Sequence, residues 1–163
     1  MTTGSTHGTP DGATPTGPVT PPPHPLRPGG GFLSRLGHRW PTLVALALAL
    51  VTFVDGLPPR GLLAGLLVGM PLFYLLFGAV RGELRSPGTL LVQIAGLVGF
   101  VAVAVTALAV DETLGVRVLA AGWLAHAVWD FVHHRTGRVV PRAWSEWCCV
   151  VDACGALAMA ALA

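Results

Sequence analysis

From Pro41 to the C-terminus the chain runs through five apolar stretches joined by short polar connections, and it contains no lysine. The stretches are about Pro41 to Leu57, Gly61 to Val80, Thr89 to Val110, Val118 to His134, and Trp147 to Ala163. An α-helix needs roughly 20 apolar residues to cross a bilayer core, and a backbone inside lipid must satisfy its own hydrogen bonds. Together these conditions point to an all-α fold, a polytopic membrane helix bundle of about five transmembrane helices. The first, fourth and fifth stretches are short, and the last two carry polar groups. Three spans with two re-entrant or interfacial helices is therefore the competing arrangement. Composition excludes an ordinary soluble domain: 53% of residues are hydrophobic and only 11% charged, where about a quarter charged is usual.

Residues 1–31 are built from Pro, Gly and Thr and hold almost no large apolar side chains. They cannot bury enough surface to offset chain entropy, so they read as a disordered tail. A secretory signal would put an apolar core just after a short basic start, and none is present there. In residues 32–40, Phe32, Leu33, Leu36 and Trp40 share one helical face while Arg35 and Arg39 share another, as in a short interfacial helix. Residues 41–163 make the bundle.

Orientation follows from the arginines. With the tail cytoplasmic, Arg27, Arg35, Arg39, Arg81, Arg85, Arg135, Arg138 and Arg142 lie inside, and only Arg60 and Arg117 lie outside. The expected location is the cell membrane, with the C-terminus external and the lipid bilayer as the main partner. No basic stripe with interleaved aromatics is present, which argues against a nucleic-acid partner. Gly61, Gly65 and Gly69, spaced by four, form a smooth strip suited to close approach of another helix, in this chain or in a second copy of it.

The stretch "HAVWDFVHH" holds the chemistry. His126, Asp130, His133 and His134 fall on an arc of about 100° at 3.6 residues per turn. Polar groups at bilayer depth normally face the bundle interior and mark functional sites. A short connection makes the fourth and fifth segments antiparallel neighbours, which brings Cys148, Cys149 and Asp152 alongside. His126, Asp130, His133 and Asp152 then form a candidate ligand set for a divalent transition metal, with His134 at its mouth and Cys148 or Cys149 as additional donors. A proton relay or catalytic acid/base group and a purely structural hydrogen-bond network are the two competing roles. Tyr74 and Gln93 lie at a comparable height, with no indication of where they point, and Asp55 belongs to the opposite end. The cysteines at 148, 149 and 154 lack CxxC spacing and are expected as free thiols.

The segment "DFVHH" resembles part of the His-box pattern of membrane desaturases and hydroxylases, but three histidines at depth are too few for that two-iron site. No HExxH, phosphate-binding glycine loop or serine elbow occurs. About the last forty residues, with "HAVWDFVHH", "VPRAW" and "WCCVVDA" in succession, resemble small uncharacterised bacterial integral membrane proteins in which a His-rich helix precedes a final helix bearing Cys and Asp. That resemblance implies no activity. The expected function is a metal-dependent or acid/base enzyme acting on a membrane-soluble substrate. A transporter or carrier of protons or metal ions is the alternative, and a structural membrane protein is the third. The outer halves of the middle segments are nearly free of polar residues, which favours the enzyme.

Overall fold

The computed structural model describes residues 39–163, and every regular element among them is helical. Five α-helices follow one another: α1 (Trp40–Phe53), α2 (Arg60–Val80), α3 (Pro87–Ala109), α4 (Glu112–Thr136) and α5 (Arg142–Leu162), with a single 3-10 turn at Glu83–Arg85 before α3. The Pro/Gly/Thr-rich residues 1–31 and all of 32–40 except Arg39 and Trp40 lie outside the described residues.

The helix boundaries have local causes. Pro87 opens α3, where its missing N–H has no helical partner to lose. Asp111 caps α4 by accepting from the Leu114 N–H at 3.0 Å, with Glu112 in the first turn and His133, His134 and Arg135 in the last, all matched to the helix dipole. Gly137, at φ 65, ends α4 in the left-handed conformation that glycine accepts most easily. These signals extend the fourth apolar stretch at both ends, giving a 25-residue helix where Val118 to His134 was expected. Likewise α5 starts at Arg142, after Pro141, and not at Trp147. Both helices are longer than hydropathy suggests because their polar first turns are helical too. Three helices, α2, α3 and α5, are long and apolar enough to cross a membrane. α4 is longer still but less apolar, and α1 is apolar but spans only 14 residues.

Short connections make successive helices antiparallel. One end of the bundle, the basic end, gathers the starts of α1, α3 and α5, the finishes of α2 and α4, and Arg81, Arg85, Arg135, Arg138 and Arg142. Helices pack in the order α2, α3, α4, α5, α1, with α4 also touching α2 and the α4–α5 contact the most extensive. α1 lies along α5, anchored by the Thr42 hydroxyl donating to Glu146, and does not pack along α2, its neighbour in sequence. The ring of helices therefore has an open seam between α1 and α2. At the far end, Arg60 donates to the carbonyls of Val110 and Asp111 at 3.0 and 3.1 Å and clamps α2 to the α3–α4 turn.

The larger apolar cluster fills the half of the bundle away from the basic end and includes Leu67, Phe100, Leu119, Trp123 and Met159. A smaller one at the basic end joins Tyr74, Val139 and Val140. Val139 is buried and sits at φ 66, in a tight turn closed by the Val140 N–H donating to the Arg138 carbonyl at 2.8 Å. A β-branched residue adopts that conformation only under strain. The outside of the bundle is apolar as well, with Leu50, Val51, Leu62, Leu91, Val98 and Leu157 exposed.

Glycine serves close approach in places other than the expected strip. A Cβ on Gly61, Gly65 or Gly69 would meet no described atom of another element within 4 Å, so that strip is uncovered among the described residues, and Gly65 and Gly69 face the seam. At Gly155 of α5, by contrast, a Cβ would stand 2.6 Å from the Trp123 ring. Gly155→Ala is therefore expected to lower unfolding stability by about 1–3 kcal/mol through overpacking, whereas Gly65→Ala is expected to cause no loss. Thermal unfolding of the two purified variants checks this, and equal behaviour would contradict the α4–α5 packing described.

Candidate functional site

One face of α4 turns three ionisable side chains inward. His126 and Asp130 are fully buried, and His133 is 8% exposed. The turn of a helix sets His126 Nδ1 3.4 Å from Asp130 Oδ1. Antiparallel pairing with α5 brings Asp152, also fully buried, to the same nitrogen, and Nδ1–H donates to Asp152 Oδ2 at 2.8 Å. α2 adds a third element: the Tyr74 hydroxyl donates to Asp130 Oδ1 at 2.5 Å. α3 adds a fourth, with Phe100 tilted over the His126 ring at 4.8 Å between centroids. Four helices thus enclose one imidazole held between two carboxylates.

The centre lies deep. His126 is ten residues before the end of α4 and Asp152 ten after the start of α5, each about 15 Å from the basic end by helical rise. On the far side the larger apolar cluster seals it. Each of its three residues keeps a buried atom without a hydrogen-bond partner: His126 Nε2, Asp130 Oδ2 and Asp152 Oδ1. One ligand atom from each lies within 4.8 Å of the other two.

The remaining candidates separate from this trio. His133 is engaged at both nitrogens, Nδ1–H donating to the Trp129 carbonyl at 2.8 Å and Nε2 accepting from Gln93 Nε2 at 2.9 Å. It forms a distinct layer nearer the basic end, with the Tyr74 ring edge-on at 4.9 Å. His134 does not stand at the mouth of the centre; its Nδ1–H donates to the Arg142 carbonyl at 3.1 Å and ties the end of α4 to the start of α5. Cys149 spends its thiol on the Ala127 carbonyl at 3.4 Å. Cys148 is buried one turn before Asp152 and is not among the converging donors, and all three cysteines are free thiols.

Tyr74 and Gln93 are the participants whose direction sequence did not supply. One signal was present for the first, since Tyr74 is the chain's single tyrosine and sits in an otherwise apolar helix. Gln93 offered a similar clue, being the one side chain with an amide in its segment.

A cleft of about 490 Å³ reaches the centre from the open seam. Leu48 and Thr52 of α1, Gly65 and Gly69 of α2, and Trp147, Cys148 and Asp152 of α5 line it, with Trp123 at its inner wall. Chemically, the trio can bind a cation or hold protons, and the imidazole is oriented with Nε2 uncommitted. Comparison with protein families, curated proteins and solved structures finds no match to this chain.

The Tyr74–Asp130 contact makes a sharp test of the assembly. Tyr74→Phe leaves a buried carboxylate oxygen without its donor and is expected to cost about 1–3 kcal/mol. In a double-mutant cycle with Asp130→Asn, measured by unfolding, the pair should couple by about 0.5–3 kcal/mol. His134→Ala combined with Asp130→Asn should be additive.

Proposed function

We propose that this chain is a multi-pass cell-membrane protein whose five helices all span the bilayer, and that its His126–Asp130–Asp152 centre binds one divalent transition metal ion to act on a membrane-soluble substrate. One observation carries the metal: two fully buried carboxylates and one imidazole converge from two helices, with a ligand atom of each within 4.8 Å of the other two. Two bare carboxylates beside a neutral imidazole are prohibitively costly in an apolar bundle, and a divalent cation cancels both charges at once. The spacing suits it. Ligand atoms about 2.0–2.1 Å from a tetrahedral ion stand about 3.4 Å apart, as His126 Nδ1 and Asp130 Oδ1 do at 3.4 Å. Asp152 Oδ2, at 2.8 Å, would move back slightly as the ion replaces the Nδ1 proton. An imidazole with two carboxylates suits zinc, iron or manganese. His133 stands outside this ligand set, because it is not among the residues whose ligand atoms converge within 4.8 Å.

The membrane assignment rests on the apolar exterior, three helices of spanning length, and an α4 that turns its polar face inward. α1 completes the count despite its length. The arginine asymmetry sets the tail on the cytoplasmic side and the C-terminus outside. Between enzyme and carrier, the apolar cluster beyond the centre favours the enzyme, since among the described residues no buried polar side chain continues toward the far end.

Purified protein is expected to contain one equivalent of metal, removable by chelator, with a lowered melting temperature after removal. Asp152→Asn and His126→Ala should lose the metal, and His133→Ala should keep it. Metal-free wild-type protein, or equal loss in His133→Ala, overturns the assignment. For topology, a reporter fused after Arg85 should read inside and one fused after Ala163 outside. The reverse result at either site contradicts five spans in this orientation.

A further inference from the structure

The seam between α1 and α2 opens a cleft into the side of the bundle. Two consecutive helices fail to pack on each other, and the space between them runs from the side of the bundle to a buried carboxylate. Its walls are apolar and aromatic except for Thr52, Cys148 and Asp152. Asp152 uses Oδ2 on His126, and its Oδ1 is buried without a partner. An apolar channel ending at one unpaired acceptor is a recognition pattern: the walls take a hydrocarbon body, and the acceptor fixes a polar end that can donate.

We infer that this cleft binds a neutral single-chain amphiphile laterally, its chain against Gly65 and Gly69 and its terminal hydroxyl donating to Asp152 Oδ1. This rests on the metal-centre assignment and adds the substrate class and its route. Three properties select the occupant. A volume of about 490 Å³ lies within the roughly 300–1,000 Å³ of small-molecule sites and admits one chain but not a two-chain phospholipid. With one divalent ion, a neutral imidazole and two carboxylates, the centre carries no net charge, so an anionic or cationic head group would bring an unbalanced charge to mid-depth. The floor at Gly65 and Gly69 is open, with no described atom of another element within 4 Å of a Cβ position on either, so a chain can lie against the α2 backbone.

The cleft carries its own reporters, since Trp123, Trp144 and Trp147 line it and Trp40 and Trp129 do not. The test titrates full-length protein in lipid nanodiscs with a long-chain primary alcohol brominated along its chain, reading tryptophan quenching, with metal content and oligomeric mass measured on the same samples. The expected result is saturable quenching by the alcohol and only linear, non-saturating quenching by a brominated phospholipid. The brominated alkane of equal length, which lacks the hydroxyl, should bind roughly tenfold more weakly, as should the brominated fatty acid. Gly65→Leu combined with Gly69→Leu fills the floor and should abolish saturation while leaving metal content unchanged. Absence of saturation in wild-type protein, indifference to the leucines, or equal binding of alcohol and alkane overturns the inference. So does a wild-type dimer that the leucines disrupt with no saturable quenching, which would mean that a second copy covers the glycine strip. Metal without saturable quenching removes this inference alone. Saturable quenching without metal removes the metal centre alone.

Discussion

Asp130 and Asp152 share one imidazole nitrogen, at 3.4 and 2.8 Å, and neither carboxylate has any exposed surface. Taking an ion out of water costs several kcal/mol even after relaxation, so the bundle must be assembled around whatever offsets that cost. This explains why α4 is central: it supplies two members of the trio and packs against α2, α3 and α5 together. Each neighbour then contributes one group that the centre requires, the Asp152 carboxylate from α5, the Tyr74 hydroxyl from α2 and the Phe100 lid from α3. Remove any of these helices and the centre loses a group that encloses or pairs it.

The interior is layered as a result. Gln93 and His133 pair nearest the basic end, Tyr74 and Asp130 come next, and His126 with Asp152 lies deepest before the apolar cluster begins. Polar groups occupy one half of the bundle and close-packed hydrocarbon the other. The division keeps water from crossing the far half, where interactions among charges would otherwise be weakened. It also leaves the seam as the side from which the cleft reaches the centre.

Much of this was written in the order of residues. The spacing of His126 and Asp130 placed them on one face, and the short connection RTGRVVPRAW, ten residues lying between the apolar segments, made Asp152 a neighbour. Periodicity reports the direction of a side chain around its own axis and says nothing of what stands opposite. His133 therefore looked equivalent to His126, although Gln93, 40 residues earlier, claims it. Tyr74 faces Asp130 across 56 residues for the same unreadable reason. The glycine strip is legible only in part for a related reason: smallness shows that a helix could come close and not which one, and among the described residues the closeness falls at Gly155 while the strip is uncovered. Helix ends were underestimated because a hydropathy window discounts the charged residues that cap and start α4 and α5.

The turn at Val139 bears on how such a centre is kept in register. His126 and Asp152 meet only if α4 and α5 are aligned along their axes, and a slip of one residue would shift them by about 1.5 Å. A relaxed connection would let the two helices trade such slips among several nearly equal packings. A buried valine forced to φ 66 is a stiff spacer, with the buried side chain holding the bend and the bend setting the stagger. The distance between an imidazole and a carboxylate is in this sense gauged at the end of the bundle, about 15 Å from the atoms it governs. Tuning the centre could begin there, by changing the length of a ruler and leaving the marks on it alone.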